Sequence, residues 1–317
     1  MITTMKKKTT HFLDSLPVMK KELYEGRHCY LIFLPVLLYY IIFLYLPLFG
    51  IVVAFQDYVP SKSFLTGNWV GFKHFISFFK GAYFKTVLWN AFWLNVLRIL
   101  WCFPLPIVFA LMLNELSCKP FKKTIQTISY LPHFISLVVM VGIILDFTAE
   151  RGLVNDIICL FHHSWERMNL MMDPKWFRTI YISTDLWQEF GWNAIIYLAA
   201  ISGINTELYE AATVDGANRM DKLIHVTIPE IMPSIVITLL LSTSYMFTIG
   251  QDKILLMQNN LNTEVSEVIS TYVYKRGIKD GSYSFATAVD LFNTVINLTF
   301  VLVLNKMARK SCETSLW

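Results

Sequence analysis

The chain has few charged residues and lacks the usual signatures of a soluble enzyme. Asp, Glu, Lys and Arg make up 16% of its 317 residues, against 55% hydrophobic residues. Its 5 cysteines are scattered without a CxxC pair, so neither a zinc site nor a disulfide framework is indicated. No GxxxxGKS or GxxxxGKT loop occurs in the sequence, which argues against nucleotide hydrolysis by this chain. The composition excludes an ordinary soluble domain and favours a membrane protein.

Long apolar stretches recur along the chain. A transmembrane helix needs about 20 apolar residues, because every backbone amide must be bonded within the segment. We therefore expect an all-α polytopic fold with about six transmembrane helices and both termini on one side of the membrane. Acidic residues within the fourth and sixth spans make these two less apolar than the rest. The predicted spans lie at residues 31–55, 86–114, 124–145, 179–204, 231–251 and 282–305.

The polar segments between the spans divide the chain. Lys and Arg are dense in the N-terminal arm and in the short second loop, which favours cytosolic termini and a multi-pass protein of the plasma membrane, although the charges on the two sides are almost balanced. The adjacent His162 and His163 would point in different directions, so no metal site is predicted. The predicted units are a cytosolic arm at 1–30, a first transmembrane helix at 31–56, an external loop at 57–85, a five-helix core at 86–308 and a cytosolic tail at 309–317.

The loop between the fourth and fifth predicted spans is polar and competent to form helices. Asn205 or Thr206 can cap a first helix, and Gly216 can end it in a left-handed conformation. Asn218 can cap a second helix, which Pro229 would stop. The pattern predicts a compact helix-turn-helix at the membrane surface.

This loop, residues 205–233, resembles the EAA loop of bacterial ABC importer permeases, written EAA-x3-G-x9-I-x-L-P. The chain departs from it only by Val for Ile and Ile for Leu, and its DGA triplet at 215–217 is the form common in sugar permeases. Further segments, such as VGFKHF at 70–75 and SYLPHFIS at 129–136, are similar to the LplB-type branch of carbohydrate ABC permeases over nearly the full length. The matching positions of the loop are Glu210, Ala211, Ala212, Gly216, Val226, Ile228 and Pro229.

The resemblance implies a type I ABC importer permease with a MetI-like fold. It implies a second, similar permease, two copies of a cytosolic ATPase, an external solute-binding lipoprotein and an oligosaccharide substrate in a lipid membrane, with no nucleic acid. This chain would bind no cofactor itself, because the partner ATPase hydrolyses ATP with Mg²⁺. The loop would couple the ATPase to the permease, which moves the substrate inward by alternating access. The implied coupling residues are Glu210, Ala211, Ala212, Asp215, Gly216 and Pro229.

Polar residues within the spans are candidates for a translocation path. Such residues are costly in lipid unless they face a polar route or a neighbouring helix. For any one of them, helix packing or contact with the partner permease is the commoner role, and only the set indicates a hydrophilic route. The candidates are Arg98, Glu189, Asn193, Tyr245, Asp290, Asn293 and Asn297.

Two other classes of function remain open at this stage. A secondary, ion-coupled transporter could use an intramembrane acid such as Asp290, but the sequence shows no inverted repeat. A membrane-embedded enzyme acting on glycan or lipid would need a nucleophile or metal cluster, and the histidines lie in different segments.

Overall fold

The computed structural model describes residues 26–61, 67–244, 246–247 and 250–312. It is built almost entirely of helices, with one antiparallel pair of strands, β1 (Gln56–Asp57) and β2 (Asn68–Trp69). The first half contains α1 (Arg27–Phe55), α2 (Lys73–Lys80), α3 (Phe84–Cys102), α4 (Pro104–Glu115), α5 (Lys119–Tyr130), α6 (Leu137–Thr148) and α7 (Leu153–Phe161). The second half contains α8 (Pro174–Ser202), α9 (Thr206–Val214), α10 (Arg219–Lys222), α11 (Ile228–Thr243), α12 (Gln251–Met257), α13 (Thr263–Ser266), α14 (Ile269–Tyr274) and α15 (Tyr283–Cys312).

Four helical stretches in the described residues are long and apolar enough to cross a membrane. They are Arg27–Phe55, Phe84–Glu115, Arg219–Thr243 and Tyr283–Lys310. They correspond to the first, second, fifth and sixth predicted spans. The fourth predicted span lies in α8, which is a continuous helix of 29 residues but is less apolar. The helical membrane fold expected from the sequence is confirmed.

The third predicted span is not one straight helix. A 3-10 turn, Leu131–Phe134, follows α5, and Ile135 and Ser136 then adopt extended backbone angles before α6 begins. The helices on either side of this break meet at 98°, so together they make one broken span or a re-entrant loop. The break leaves backbone groups that α8 helps to satisfy, because Gln188 donates a hydrogen bond to the Ile135 carbonyl at 3.5 Å.

Helix α8 lies at the centre of the molecule. It packs against α3, α4, α5 and α11, and Phe177, Ala194 and Tyr197 on it are buried. Gly191 brings α8 against α5 so closely that a Cβ there would overlap the Ser129 carbonyl. The close approach of α8 to the helices around it fixes the position of its polar side chains. By contrast, α1 has no buried residue before Val53.

The predicted external loop 57–85 is ordered where the structure describes it. The strand pair and α2 follow α1, and Lys73 Nζ on α2 lies 2.7 Å from Asp57 Oδ2. The hydrogen bond from Lys73 is the main reason that the pKa of Asp57 is lowered from its ordinary value, with His74 contributing at 3.1 Å. This ion pair holds α2 against the hairpin.

Candidate functional site: an exposed elbow and a cavity between helices

The helix-turn-helix predicted at the membrane surface comprises α9, the turn at 215–218 and α10, and is called the elbow below. Its first helix, α9, begins and ends as the sequence predicts. The side chain of Asn205 caps α9 by accepting a hydrogen bond from the Glu207 N–H at 3.0 Å. At the other end Gly216 has φ of 79°, and the N–H of Ala217 donates to the Ala212 carbonyl at 2.9 Å. This Schellman arrangement needs a left-handed residue, which glycine supplies without strain.

The second helix also starts as predicted but does not stop as predicted. Asn218 accepts from the N–H groups of Met220 and Asp221, and the Asp221 carboxylate accepts from the Asn218 N–H, completing a capping box. The prediction that Pro229 ends this helix is wrong. A π-helical turn, Leu223–Thr227, continues α10 directly into α11. The wider π turn moves the preceding carbonyls, so Pro229 sits in the first turn of α11, where its missing N–H and ring are tolerated.

The elbow is braced internally and exposed externally. The hydroxyls of Tyr209 and Thr227 hydrogen-bond at 2.9 Å, and Lys222 Nζ donates to Thr213 Oγ1 at 2.8 Å. These contacts tie α9 to the helix that follows it. No residue of α9 is buried, and Val214 is 88% exposed. The predicted coupling residues therefore lie on a rigid, accessible surface of α9, the turn and the start of α11, where they are exposed apart from the partly exposed Ala212: Glu210, Ala211, Ala212, Asp215, Gly216 and Pro229.

A cavity of about 670 Å³ lies between α3, α4, α8 and α11. Three of the predicted path residues, Arg98, Glu189 and Asn193, line it. The indole of Trp192 and the amide of Asn95 also contribute. The cavity thus combines an aromatic surface with amides and charged groups, a mixture suited to a polar ligand that carries both hydroxyls and apolar faces.

Two cations share one carboxylate beside this cavity. Arg98 Nε on α3 lies 2.9 Å from Asp185 Oδ2 on α8, and Lys253 Nζ on α12 lies 3.3 Å from Asp185 Oδ1. Lys253 is 5% exposed, and it also donates to the Tyr181 carbonyl at 3.2 Å. Arg98 was predicted from the sequence, but its partner Asp185 and the second cation Lys253 were not, because these pairings depend on contacts between distant segments.

A second polar pair closes another side of the cavity. His133, in the turn before the α5–α6 break, places Nδ1 3.1 Å from Glu189 Oε2. Its ring also stacks on Trp192, with centroids 4.2 Å apart and an interplanar angle of 3°. Glu189 was predicted as a path residue from the sequence, whereas its partner His133 was not. This pair joins the broken span to α8 at the cavity wall.

The remaining path candidates lie elsewhere. Asn293 and Asn297 on α15 are buried, and Asn297 Oδ1 accepts the Phe247 N–H at 2.9 Å. Asp290 lines a separate groove of about 330 Å³, and Tyr245 lies outside the described residues. The structure therefore brings Arg98, Glu189 and Asn193 together and separates them from the α15 residues.

A bundle of apolar helices around a largely apolar cavity with a few polar and charged groups, joined to a braced elbow, is consistent with a membrane permease. The chain belongs to the family of binding-protein-dependent transport system inner membrane components, whose model matches residues 102–309. It is 40% identical to the polygalacturonan/rhamnogalacturonan transport system permease protein YteP of Bacillus subtilis, over 93% of this chain and 92% of that protein. It is 38% identical to protein LplB of the same organism, over 91% of this chain and 90% of that protein.

A solved structure has the same fold. One chain in the crystal structure of a bacterial alginate ABC transporter, in complex with an alginate pentasaccharide-bound periplasmic protein, matches with a TM-score of 0.86 and 37% identity. The match covers 93% of this chain and 99% of that chain. The predicted MetI-like fold and the carbohydrate, LplB-type branch of ABC permeases are confirmed. The chain is the permease subunit of a sugar ABC transporter.

Proposed function

We propose that this permease moves an oligosaccharide into the cytoplasm by alternating access, driven by a separate ATPase that engages the elbow. The relatives named above concern polygalacturonan, rhamnogalacturonan and alginate, which are polymeric sugars. The assembly would contain a second permease, two ATPase copies that hydrolyse ATP with Mg²⁺, and an external solute-binding lipoprotein. The elbow and both termini would then face the cytosol.

Two properties of the elbow together support the coupling role: hydrogen bonds within the elbow fix its shape, and its surface side chains are exposed. A surface that transmits force must keep its shape, and the Schellman turn, the capping box and the Tyr209–Thr227 bond fix it. It must also be accessible, and apolar side chains that find no cover within the chain indicate a protein partner. Val214 is 88% exposed and Met220 is 59% exposed. Glu210 adds a carboxylate that can accept hydrogen bonds from a basic or amide group of the ATPase.

The cavity supports a sugar as cargo. The apolar body of Trp192 suits the faces of sugar rings, while Asn193, Asn95 and the carboxylate of Glu189 can bond hydroxyls. A cavity of about 670 Å³ lies within the range of sites that hold small molecules, which is about 300–1,000 Å³. Binding in this position would place the substrate beside α8, which precedes the elbow, and α11, which continues directly from α10.

The test uses the complete transporter in proteoliposomes. Gly216→Ala should reduce both ATPase binding and uptake, because a left-handed conformation costs a non-glycine residue roughly 1–2 kcal/mol. Gly216→Asn should retain more activity, because asparagine tolerates this conformation better. Gly203→Ala is the matched control, since Gly203 has φ of −87° and no atom within 3.4 Å of an added Cβ. Glu210→Arg should weaken ATPase binding while leaving the fold unchanged.

Normal ATPase binding and uptake in both Gly216→Ala and Glu210→Arg would contradict the coupling role. Uptake by the permease without any ATPase, driven by a proton gradient, would instead indicate a secondary transporter.

A further inference from the structure

Asp290 occupies an unusual position on the last helix. The stretch Tyr283–Lys310 is apolar enough to span a membrane, and Lys306, Arg309 and Lys310 mark its far end. A span of about 20 residues counted back from these cations begins near residue 286. Asp290 therefore lies about one turn inside the apolar region, yet its side chain is exposed on the surface of this chain.

The Asp290 carboxylate has no compensating cation in the part of the chain that the structure describes. Among the residues that the structure describes, no Lys, Arg or His nitrogen lies within 4.0 Å of it. Two cations of the segment that borders the groove pair elsewhere: Lys275 pairs with Glu267 and Arg276 pairs with Asp280 at 3.0 Å. An ionised carboxylate inside a membrane is costly unless it meets a cation, other polar groups or water.

Two neighbouring hydroxyls on the same helix are satisfied within it. Thr287 Oγ1 donates to the Tyr283 carbonyl at 2.8 Å, and Thr294 Oγ1 donates to the Asp290 carbonyl at 3.0 Å. Their hydroxyl protons are satisfied within the helix, and their small side chains allow another helix to approach closely. The carboxylate of Asp290 is the group on this face that still requires a donor.

The groove at Asp290 is separate from the sugar-sized cavity. It has a volume of about 330 Å³ and is bordered by Tyr274, Tyr283 and Thr287. The larger cavity is lined from α3, α4, α8 and α11 and shares no lining residue with this groove. A passing sugar would satisfy the carboxylate only while it was bound, whereas a fixed cation would satisfy it throughout the transport cycle.

We propose that the groove receives a Lys or Arg side chain from the second permease subunit, which pairs with Asp290 across the interface within the membrane. This inference rests on the proposed function in one respect, namely that a second permease is present. The small Thr287 and Thr294 side chains allow the partner helix to come close, and the tyrosines at the rim shield the pair from lipid.

Assembly of the complete transporter in membranes, without ATP or substrate, tests the ion pair. Asp290→Asn should lower the fraction of second permease that copurifies by about tenfold, and Asp290→Lys should lower it further by repulsion. Asp290→Glu should assemble nearly as wild type. Thr299→Val is the matched control, because Thr299 lies on about the opposite side of the same helix and its hydroxyl already donates to the Val295 carbonyl at 2.7 Å; it should not change assembly.

A photoactivatable residue at position 290 should crosslink to the second permease, and mass spectrometry of the product would identify the partner's cation. Exchanging the two charges, with Asp290→Lys on this chain and an acid on the partner, should restore assembly. Unchanged copurification in Asp290→Asn and Asp290→Lys would overturn the proposal. Crosslinking only to lipid, or protection of an Asp290→Cys thiol by oligosaccharide, would also overturn it. Because assembly is measured without transport, these results are independent of whether the elbow couples to the ATPase.

Discussion

Replacing Asp185 with asparagine tests the two ion pairs that join α3, α8 and α12. Asp185 is the only carboxylate within 4.0 Å of Arg98 and Lys253 in the part of the chain that the structure describes. The two cations differ in their access to water, because the Arg98 side chain is 44% exposed toward the cavity and that of Lys253 is 5% exposed. Loss of Asp185 should therefore harm the protein mainly through Lys253.

The expected magnitude follows from this difference. Leaving a buried cation without its partner costs about 3–5 kcal/mol, so Asp185→Asn should lower the free energy of unfolding by about that amount. Lys253→Met should cost less, because Asp185 keeps Arg98 at 2.9 Å and the methionine fills a similar volume. The double variant should recover most of the loss, since it leaves no buried charge unpaired.

Equilibrium unfolding of the purified permease in mixed micelles measures these differences. The three variants and the wild type form a double-mutant cycle, which isolates the coupling between Asp185 and Lys253. A cost for Asp185→Asn below about 1 kcal/mol, or a double variant whose loss equals the sum of the single losses, would refute the reasoning.

Two further predictions concern packing and pH. Gly191→Ala should destabilise the protein by about 1–3 kcal/mol, because the new methyl group overlaps the Ser129 carbonyl; thermal unfolding checks this, with Gly142→Ala as the control since nothing lies within 4 Å of a Cβ there. Equal unfolding of the two variants would contradict the close packing. The ion pair of Asp57 with Lys73 should stabilise α2 at pH values above the ordinary pKa of aspartate, about 3.9, and this stabilisation should be lost as the pH falls through the lowered pKa of Asp57. Hydrogen exchange in α2 as a function of pH measures this loss, and Asp57→Asn should remove the pH dependence.

The elbow could be predicted in detail because its geometry is set by local rules. Asn205 and Asn218 cap helices through contacts no more than three residues away. Gly216 ends α9 through the turn in which it lies. Each of these outcomes depends on residue type and short spacing, which a single sequence displays directly.

Other features depend on geometry that a linear pattern does not contain. A proline normally stops a helix, and at Pro229 the helix continues because a π-helical turn precedes it. The break at Ile135 and Ser136 lies inside a run without Asp, Glu, Lys or Arg, and the one local signal for it is Pro132, which disfavours a straight helix. The ion pair between Lys253 and Asp185 joins residues 68 positions apart. For the path candidates, residue type identified polar positions but could not assign them to the cavity, the groove or the core.

The uninterrupted passage of the helix through Pro229 has a mechanical consequence. Arg219–Thr243 forms one rod of 25 residues, and Thr238, Leu241 and Ser242 near its end form part of the cavity wall. At 1.5 Å per residue such a rod is about 37 Å long, so a pivot of about 10° shifts one tip by about 6 Å relative to the other. It can act as a lever arm. A small rotation of its end at the elbow would widen or narrow the cavity while every turn of the helix stays intact.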